Sequence, residues 1–225
     1  MQESMPMSDK IFAIGDIHGC AEKLAALLDR LPFTPGRDRL IFLGDYVNRG
    51  PDARGVIERL LKLKASCPGC VFLKGNHEHA LLEYARSGEL DYLRRLRSLG
   101  VEATLESYGA PVSALRELSF LPAAHREFLE NLLPDWREPG YLFAHAGCEA
   151  DEEALDDGAA LDCLLSTRRS GQAGQAGETD ETVVFGHVAL ETPLVAPGRI
   201  GIDTGAAYGN LLTALELPAL RFHHA

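Results

Sequence analysis

Basic residues are scarce in this chain: 22 Lys and Arg stand against 33 Asp and Glu, for a formal charge of −11. That balance disfavours an extended footprint on a nucleic-acid backbone, which needs many cations to displace condensed counterions. Nucleic acid is therefore not expected as a partner. An anionic ligand would instead be met at a small local pocket, for which Arg49, Arg54, Arg168 and Arg169 are candidates. Long apolar runs are also missing. No stretch reaches the roughly 18 residues that a membrane span requires, and Met1 to Lys10 is polar, without the apolar core of a secretory leader. The expectation is a cytoplasmic protein without membrane contact. Cysteines number five, an odd count, so a disulfide framework is not expected. Cys67-Pro68-Gly69-Cys70 forms one close pair, but Cys20, Cys148 and Cys163 do not supply the second pair of a zinc ribbon. It reads as a surface turn, with a redox or metal role as the alternative. Cys20 and Cys148 read as small packing residues.

What the chain does have is apolar content. At 225 residues and 46% apolar it can build one domain with a substantial core. Residues 1–9 read as a flexible tail and 10–225 as the domain. Lys10 to Ile14 reads as a strand, Ala21 to Leu31 as a helix by apolar spacing, Arg39 to Leu43 as a second strand, and Val71 to Leu73 as a third. Pro51 is expected to open the intervening helix, which runs to about Ala65. This β-α-β-α-β order predicts a parallel core. From Glu78 to about Leu133 the pattern is mainly helical. Strands are then expected at Tyr141 to Ala144, Thr182 to Phe185, Arg199 to Asp203, Leu211 to Leu217 and Leu220 to His223, forming a mixed or antiparallel second sheet.

Three short clusters follow the first three strands at intervals of about thirty residues: Gly15-Asp16-Ile17-His18-Gly19, Gly44-Asp45-Tyr46-Val47-Asn48-Arg49-Gly50 and Gly75-Asn76-His77-Glu78. Carboxylate, amide and imidazole donors on loops at the carboxyl ends of neighbouring strands suit hard and borderline divalent cations. Further apolar runs lead into His145-Ala146-Gly147, Gly186-His187 and Ile202-Asp203-Thr204-Gly205, with Tyr208 close behind.

Taken in order, these blocks resemble the GDxHG, GDxxDRG and GNHE signatures and the later motifs of the phosphoprotein phosphatase family of metallophosphoesterases, most closely its small bacterial and bacteriophage lambda branch. The likeness runs from about Ile11 to about Leu217. It implies an α/β calcineurin-like metallophosphoesterase sandwich, with two mixed β-sheets packed face to face and flanked by helices. It also implies two divalent ions, manganese first among iron, zinc, cobalt and nickel. One ion would be held by Asp16, His18 and Asp45 and the other by Asp45, Asn76, His145 and His187, with Asp45 bridging. His77 would be the general acid. Arg49 and Arg168 would contact the phosphate, although Ser166 stands where bacterial relatives have tryptophan, which leaves Arg169 as an alternative to Arg168. Asn76 and Tyr208 would help to bind substrate, and Asp203 would support the site from behind. His125, His223 and His224 have no motif support and read as packing or solvent residues.

The implied activity is hydrolysis of phosphomonoesters by direct attack of a metal-bound hydroxide. Phosphoserine and phosphothreonine in proteins or peptides are the first substrates, with phosphotyrosine and small phosphoesters as further candidates. One position departs from the family pattern: Asn48 replaces the aspartate that would orient and charge His77. Because a nucleotide leaves readily without a proton, Asn48 favours an alternative, a dinucleoside tetraphosphate hydrolase. A catalytically weakened metal- and phosphate-binding module is the third reading.

Overall fold

The computed structural model describes residues 9–146 and 181–225. Arg168, Arg169, Cys148 and Cys163 lie outside the described residues. The first strands are Ile11–Ile14 (β1), Arg39–Phe42 (β2) and Cys70–Phe72 (β3), paired in parallel as β1-β2-β3. Their side chains alternate faces, as a pleated strand requires. Phe12, Ile14, Leu40, Phe42 and Phe72 meet the helices, while Ala13, Ile41 and Val71 face the other way. Both faces are therefore buried, which is why these segments read as unbroken apolar runs rather than alternating ones.

The second face packs on a second sheet, made from Asp135–Glu138 (β4), Tyr141–Ala144 (β5), Thr182–Phe185 (β6), Leu194–Ala196 (β7) and Arg199–Gly201 (β8) in the order β4-β5-β6-β8-β7. β5, β6 and β8 are parallel, and β4 and β7 are antiparallel edges. Phe143, Val184, Ile200 and Ile202 interlock with Ile41, Leu43 and Leu73 to fill the space between the sheets. Each such side chain contributes about 1.5–3 kcal/mol on full burial.

The two final strands, Thr213–Leu217 (β9) and Arg221–His224 (β10), correct the expectation that they belong to the second sheet. They complete the first, in the order β10-β9-β1-β2-β3, with β9 antiparallel to β1. Their apolar alternation would suit either sheet; partnership with β1 places Leu215 and Leu217 in the space between the sheets and Ala214 against the helices.

The helices are Ala21–Arg30 (α1), Ala53–Ser66 (α2), Asn76–Ser87 (α3), Leu90–Ser98 (α4), Val101–Tyr108 (α5) and Ala123–Glu130 (α6). α2 starts two residues after Pro51, because Asp52 caps it by accepting from Gly55 N at 2.8 Å. The Cys67 to Cys70 segment is a turn closed by Cys70 N donating to Cys67 O at 3.2 Å, but Cys67 itself is buried, so only part of it is surface. Asp9, expected in the tail, is tied to Arg37 through backbone and side chain. No helix among the described residues is long and apolar enough to cross a membrane.

Candidate metal centre

The parallel strands of both sheets end at one place. Asp16 and His18 follow β1, Asp45 to Arg49 follow β2, Asn76 and His77 open α3 just beyond β3, His145 follows β5, His187 follows β6 and Asp203 follows β8. The chain must turn sharply at each end, and it does so under strain. Among the described residues, seven non-glycine residues have positive φ, and five of them are His18, Asp45, Asn48, Arg49 and His187, at 45° to 69°. Such backbone persists only where surrounding bonds over-determine it. Close approach is enforced by glycine as well: a Cβ on Gly75 would fall 2.1 Å from Asp45 Oδ1, and one on Gly186 equally close to Asp16 Oδ1.

Glu78 supplies much of the over-determination. Fully buried, its carboxylate accepts from the backbone N–H groups of Asp45 (3.0 Å), Tyr46 (2.9 Å), Val47 (3.2 Å) and Gly75 (3.0 Å), binding the second motif to the third. Burial and the nearby Asp45 push its carboxyl up to about 7, against the pull of the Val47 and Tyr46 N–H groups. The sequence motif Gly75-Asn76-His77-Glu78 includes this residue but does not by itself assign it a role. Its position in the first turn of a helix that begins after glycine was the available signal.

The donors converge as expected. Asp45 Oδ2 lies 3.5 Å from His18 Nε2, 3.4 Å from His145 Nε2 and 3.6 Å from His77 Nε2. Asp16 lies 4.0 Å from both His18 Nε2 and His145 Nδ1. Asn76 Oδ1 faces His145 Nε2 and His187 Nδ1, each at 2.9 Å. Donor atoms of His18, Asp45 and His77 lie within 4.8 Å of one another, as do those of Asp45, His145 and His187. His77 thus reaches the group that His18 and Asp45 form, closer to it than its expected role alone requires.

The hydrogen bonds of these residues bear on whether they fit a cation. His145 Nδ1 donates to Leu43 O at 2.9 Å, and His18 Nδ1 donates to Val47 O at 3.1 Å. A neutral ring so placed would aim its Nε2 lone pair at the carboxylates. His145 Nε2 faces Asn76 Oδ1, and against the effect of burial Asp45 raises the pKa of the His145 imidazole, so a proton on Nε2 can meet these oxygens in a place that a metal cation can take instead. Asp16 Oδ1 is buried with no hydrogen-bond partner. Burial, then Asp203 and Asp45, raise the Asp16 carboxyl well above its usual range, the mark of crowded negative charge. Burial also opposes the Asp45 charge, but His145, the imidazole that Asp45 itself raises, leads the neighbours that hold the Asp45 carboxyl well below its usual range. Burial, aided by Arg49, takes His18 down to about 4, leaving the neutral imidazole that ligation requires. Nitrogen and oxygen donors, a carboxylate between two groups and an orphaned oxygen fit two divalent cations.

Around this centre, Arg49 Nη1 donates to His18 Nε2 at 2.5 Å, and its guanidinium carbon lies 5.2 Å from the centre of the Tyr208 ring. Asn48 pairs with His77 as expected, with Asn48 Nδ2 and His77 Nδ1 3.0 Å apart. Thr104 on α5, which carried no sequence signal, fixes that pair: Asn48 N donates to Thr104 Oγ1, and Thr104 Oγ1 donates to Asn48 Oδ1, both at 2.8 Å. Asp203 is buried and accepts from Gly205 N at 2.9 Å. Arg54, offered for the anion pocket, is instead exposed and paired with Glu58. Of the other histidines, His125 bonds Tyr108, His223 bonds Glu216 and His224 bonds Thr213.

The model of the calcineurin-like phosphoesterase family matches residues 9–208, and the chain belongs to that family. It is 27% identical to the asymmetrical bis(5′-nucleosyl)-tetraphosphatase PrpE of Halalkalibacterium halodurans, over 93% of this chain and 90% of that protein. It is 28% identical to a symmetrical bis(5′-nucleosyl)-tetraphosphatase of Chromohalobacter salexigens, over 94% and 96%. A crystal structure provisionally named a diadenosine tetraphosphatase superposes with a TM-score of 0.67 at 26% identity, covering 97% of this chain and 95% of that one.

Proposed function

We propose, on the premise of that membership, that the chain is a metal-dependent hydrolase of dinucleoside tetraphosphates, cleaving a phosphoanhydride rather than a phosphomonoester. The observation that carries this reading is the direction of the hydrogen bond between Asn48 and His77. Thr104 Oγ1 accepts from Asn48 N and donates to Asn48 Oδ1, an arrangement that turns the Asn48 amide N–H toward His77 Nδ1. A donor there demands a lone pair on Nδ1. The single ring proton then sits on Nε2, and His77 is a neutral imidazole that donates a hydrogen bond but has no proton to give away. Burial, with Arg49 and His18 nearby, also holds its pKa well below the usual value. A serine or threonine alkoxide needs a proton as it leaves. A nucleoside phosphate, whose last ionisation lies near 6 by analogy with phosphate monoesters, does not. The tetraphosphatase names of the sequence relatives given above support the same choice over the protein-phosphatase branch.

When bound at Asp16, His18 and Asp45 and at Asp45, Asn76, His145 and His187, two divalent ions, manganese first among the candidates, would lower the pKa of a shared water and offset charge on phosphate oxygens. The chain's own residues do the rest. Glu78 holds the Asp45 loop in place, His77 Nε2–H donates to an oxygen at the reacting centre, and Arg49 exchanges its bond to His18 for one to phosphate, where its planar donors suit an anion. Arg168 would add a second guanidinium by resemblance. A cytoplasmic location suits a nucleotide substrate and the free thiols of Cys20, Cys67 and Cys70.

Product analysis tests the reading. Diadenosine tetraphosphate with manganese should give two nucleotides, either two diphosphates or a triphosphate and a monophosphate, with kcat/KM well above that for a phosphopeptide releasing inorganic phosphate. The opposite ranking would restore the phosphomonoesterase. Tight metal and phosphate binding without turnover of either would identify the binding module.

A further inference from the structure

Tyr208 is 63% exposed beside a buried polar centre. It sits in a short helical turn, Ala206–Tyr208, between Gly205 and Gly209, both in the left-handed region. The loop around it is tied down from several directions. The ammonium of Lys23, on α1, donates to Ala206 O at 2.7 Å and also to Asn210 O. Thr204 Oγ1 donates to Leu211 O at 2.7 Å, and Asn210 Nδ2 donates to Glu191 O at 3.0 Å. Arg49 lies against the Tyr208 ring, and one guanidinium separates that ring from His18.

A rigid loop that spends a lysine on holding an aromatic ring in water calls for an explanation. Leaving the ring exposed forgoes the gain from burying it, and the Lys23 bonds restrict a long side chain at an entropic cost. A fixed ring with an open π-face is, however, a stacking platform for a planar group, because little order has to be created on binding. Its place beside Arg49, whose guanidinium carbon lies 5.2 Å from the ring centre, suits a base joined through ribose to a phosphate held by that arginine.

We propose that Tyr208 is a nucleobase platform and that Lys23 is its positioning residue, so that the site reads the base as well as the phosphate chain. The proposal rests on the dinucleotide reading above. It accounts for Lys23, which no motif includes, and gives Tyr208 a role independent of the reacting atoms.

The test is calorimetric titration of the manganese-supplemented protein with adenosine 5′-monophosphate and with ribose 5-phosphate, which differ by the base. The wild-type protein should favour the nucleotide by about tenfold, at the lower end of what one stacked base provides. Tyr208→Ala should bring the ratio to about one, and Tyr208→Phe, which keeps the ring, should preserve it. Lys23→Met should lower the ratio by roughly threefold, since the ring remains but is no longer held, and Lys23→Arg should restore it. A wild-type ratio near one, or an unchanged ratio in Tyr208→Ala, overturns the platform; an unchanged ratio in Lys23→Met overturns the role of Lys23. Hydrolysis of diadenosine tetraphosphate is measured alongside. Base discrimination without hydrolysis would sink the reaction but keep the platform, and hydrolysis without discrimination would do the reverse.

Discussion

Replacing Asn48 with Asp changes one donor into an acceptor, with calculable consequences. Thr104 Oγ1 still donates to one oxygen at position 48, where the present bond is 2.8 Å long. The other oxygen then stands about where Asn48 Nδ2 now sits, 3.0 Å from His77 Nδ1, and it requires a proton on that nitrogen. His77 becomes able to carry protons on both nitrogens and to give up the one on Nε2. Positioned general acids contribute about 10²–10⁴-fold. Positions 48 and 77 are both fully buried, so forming a charged pair there carries a desolvation cost that argues for the lower end, about 10². The gain should appear in kcat for alkyl phosphates and phosphoserine peptides, which leave as alkoxides. It should be small for p-nitrophenyl phosphate and for diadenosine tetraphosphate, whose leaving groups need no proton. Metal content should hardly change, because position 48 contacts His77 rather than the proposed ligands. Steady-state kinetics on the four substrates, with metal analysis of both proteins, provide the assay. Equal gains on good and poor leaving groups would mean that the substitution repaired geometry instead, and no gain on any would remove the His77 pairing from the argument.

Metal analysis of the reconstituted protein should give about two equivalents, and Asp45→Asn should lose most of both together with activity, since its carboxylate faces both donor groups; retention of one full equivalent would refute the bridge. Arg49→Ala should cost about 2–4 kcal/mol in the apparent barrier while metal content persists. Comparing Arg168→Ala with Arg169→Ala by the same kinetics identifies the second arginine, expected at 168. Glu78→Gln replaces one of two oxygens that accept backbone N–H groups with a donor, and should destabilise the fold by about 2–4 kcal/mol in urea titration; a loss under 1 kcal/mol would deny Glu78 its clamping role. Glu216, which bonds His223 and Lys10, has its carboxyl held below the usual 4.5, first by the His223 bond. A depressed acid stabilises above its unfolded pKa, and that contribution is lost as pH falls through the folded value, so Glu216→Gln should flatten the fall of stability below about pH 4.5 while leaving activity near neutrality intact.

The motifs were legible because metal chemistry restricts residue type and strand ends restrict spacing. Asp16, His18, Asp45, Asn76, His145 and His187 could be chosen along one dimension, and the structure brings all six together. The parallel β1-β2-β3 core was legible for a related reason, since alternation and helix-length connections leave few other arrangements. The sheet that receives β9 and β10 was not. Alternating apolar residues specify a buried face without saying which sheet provides it, and only pairing with β1 decided the matter. The same limit applies at the site. That Asn48 would meet His77 was readable from the family pattern, but which end of its amide points at the ring depended on Thr104, 56 residues further along the chain on α5. The hold of Lys23 on the Tyr208 loop spans more than 180 residues. Residue identity determined which atoms could bind a cation or a phosphate. The direction of each hydrogen bond, and hence which proton is free to move, was decided by the tertiary structure, because a donor's direction depends on all of its partners at once.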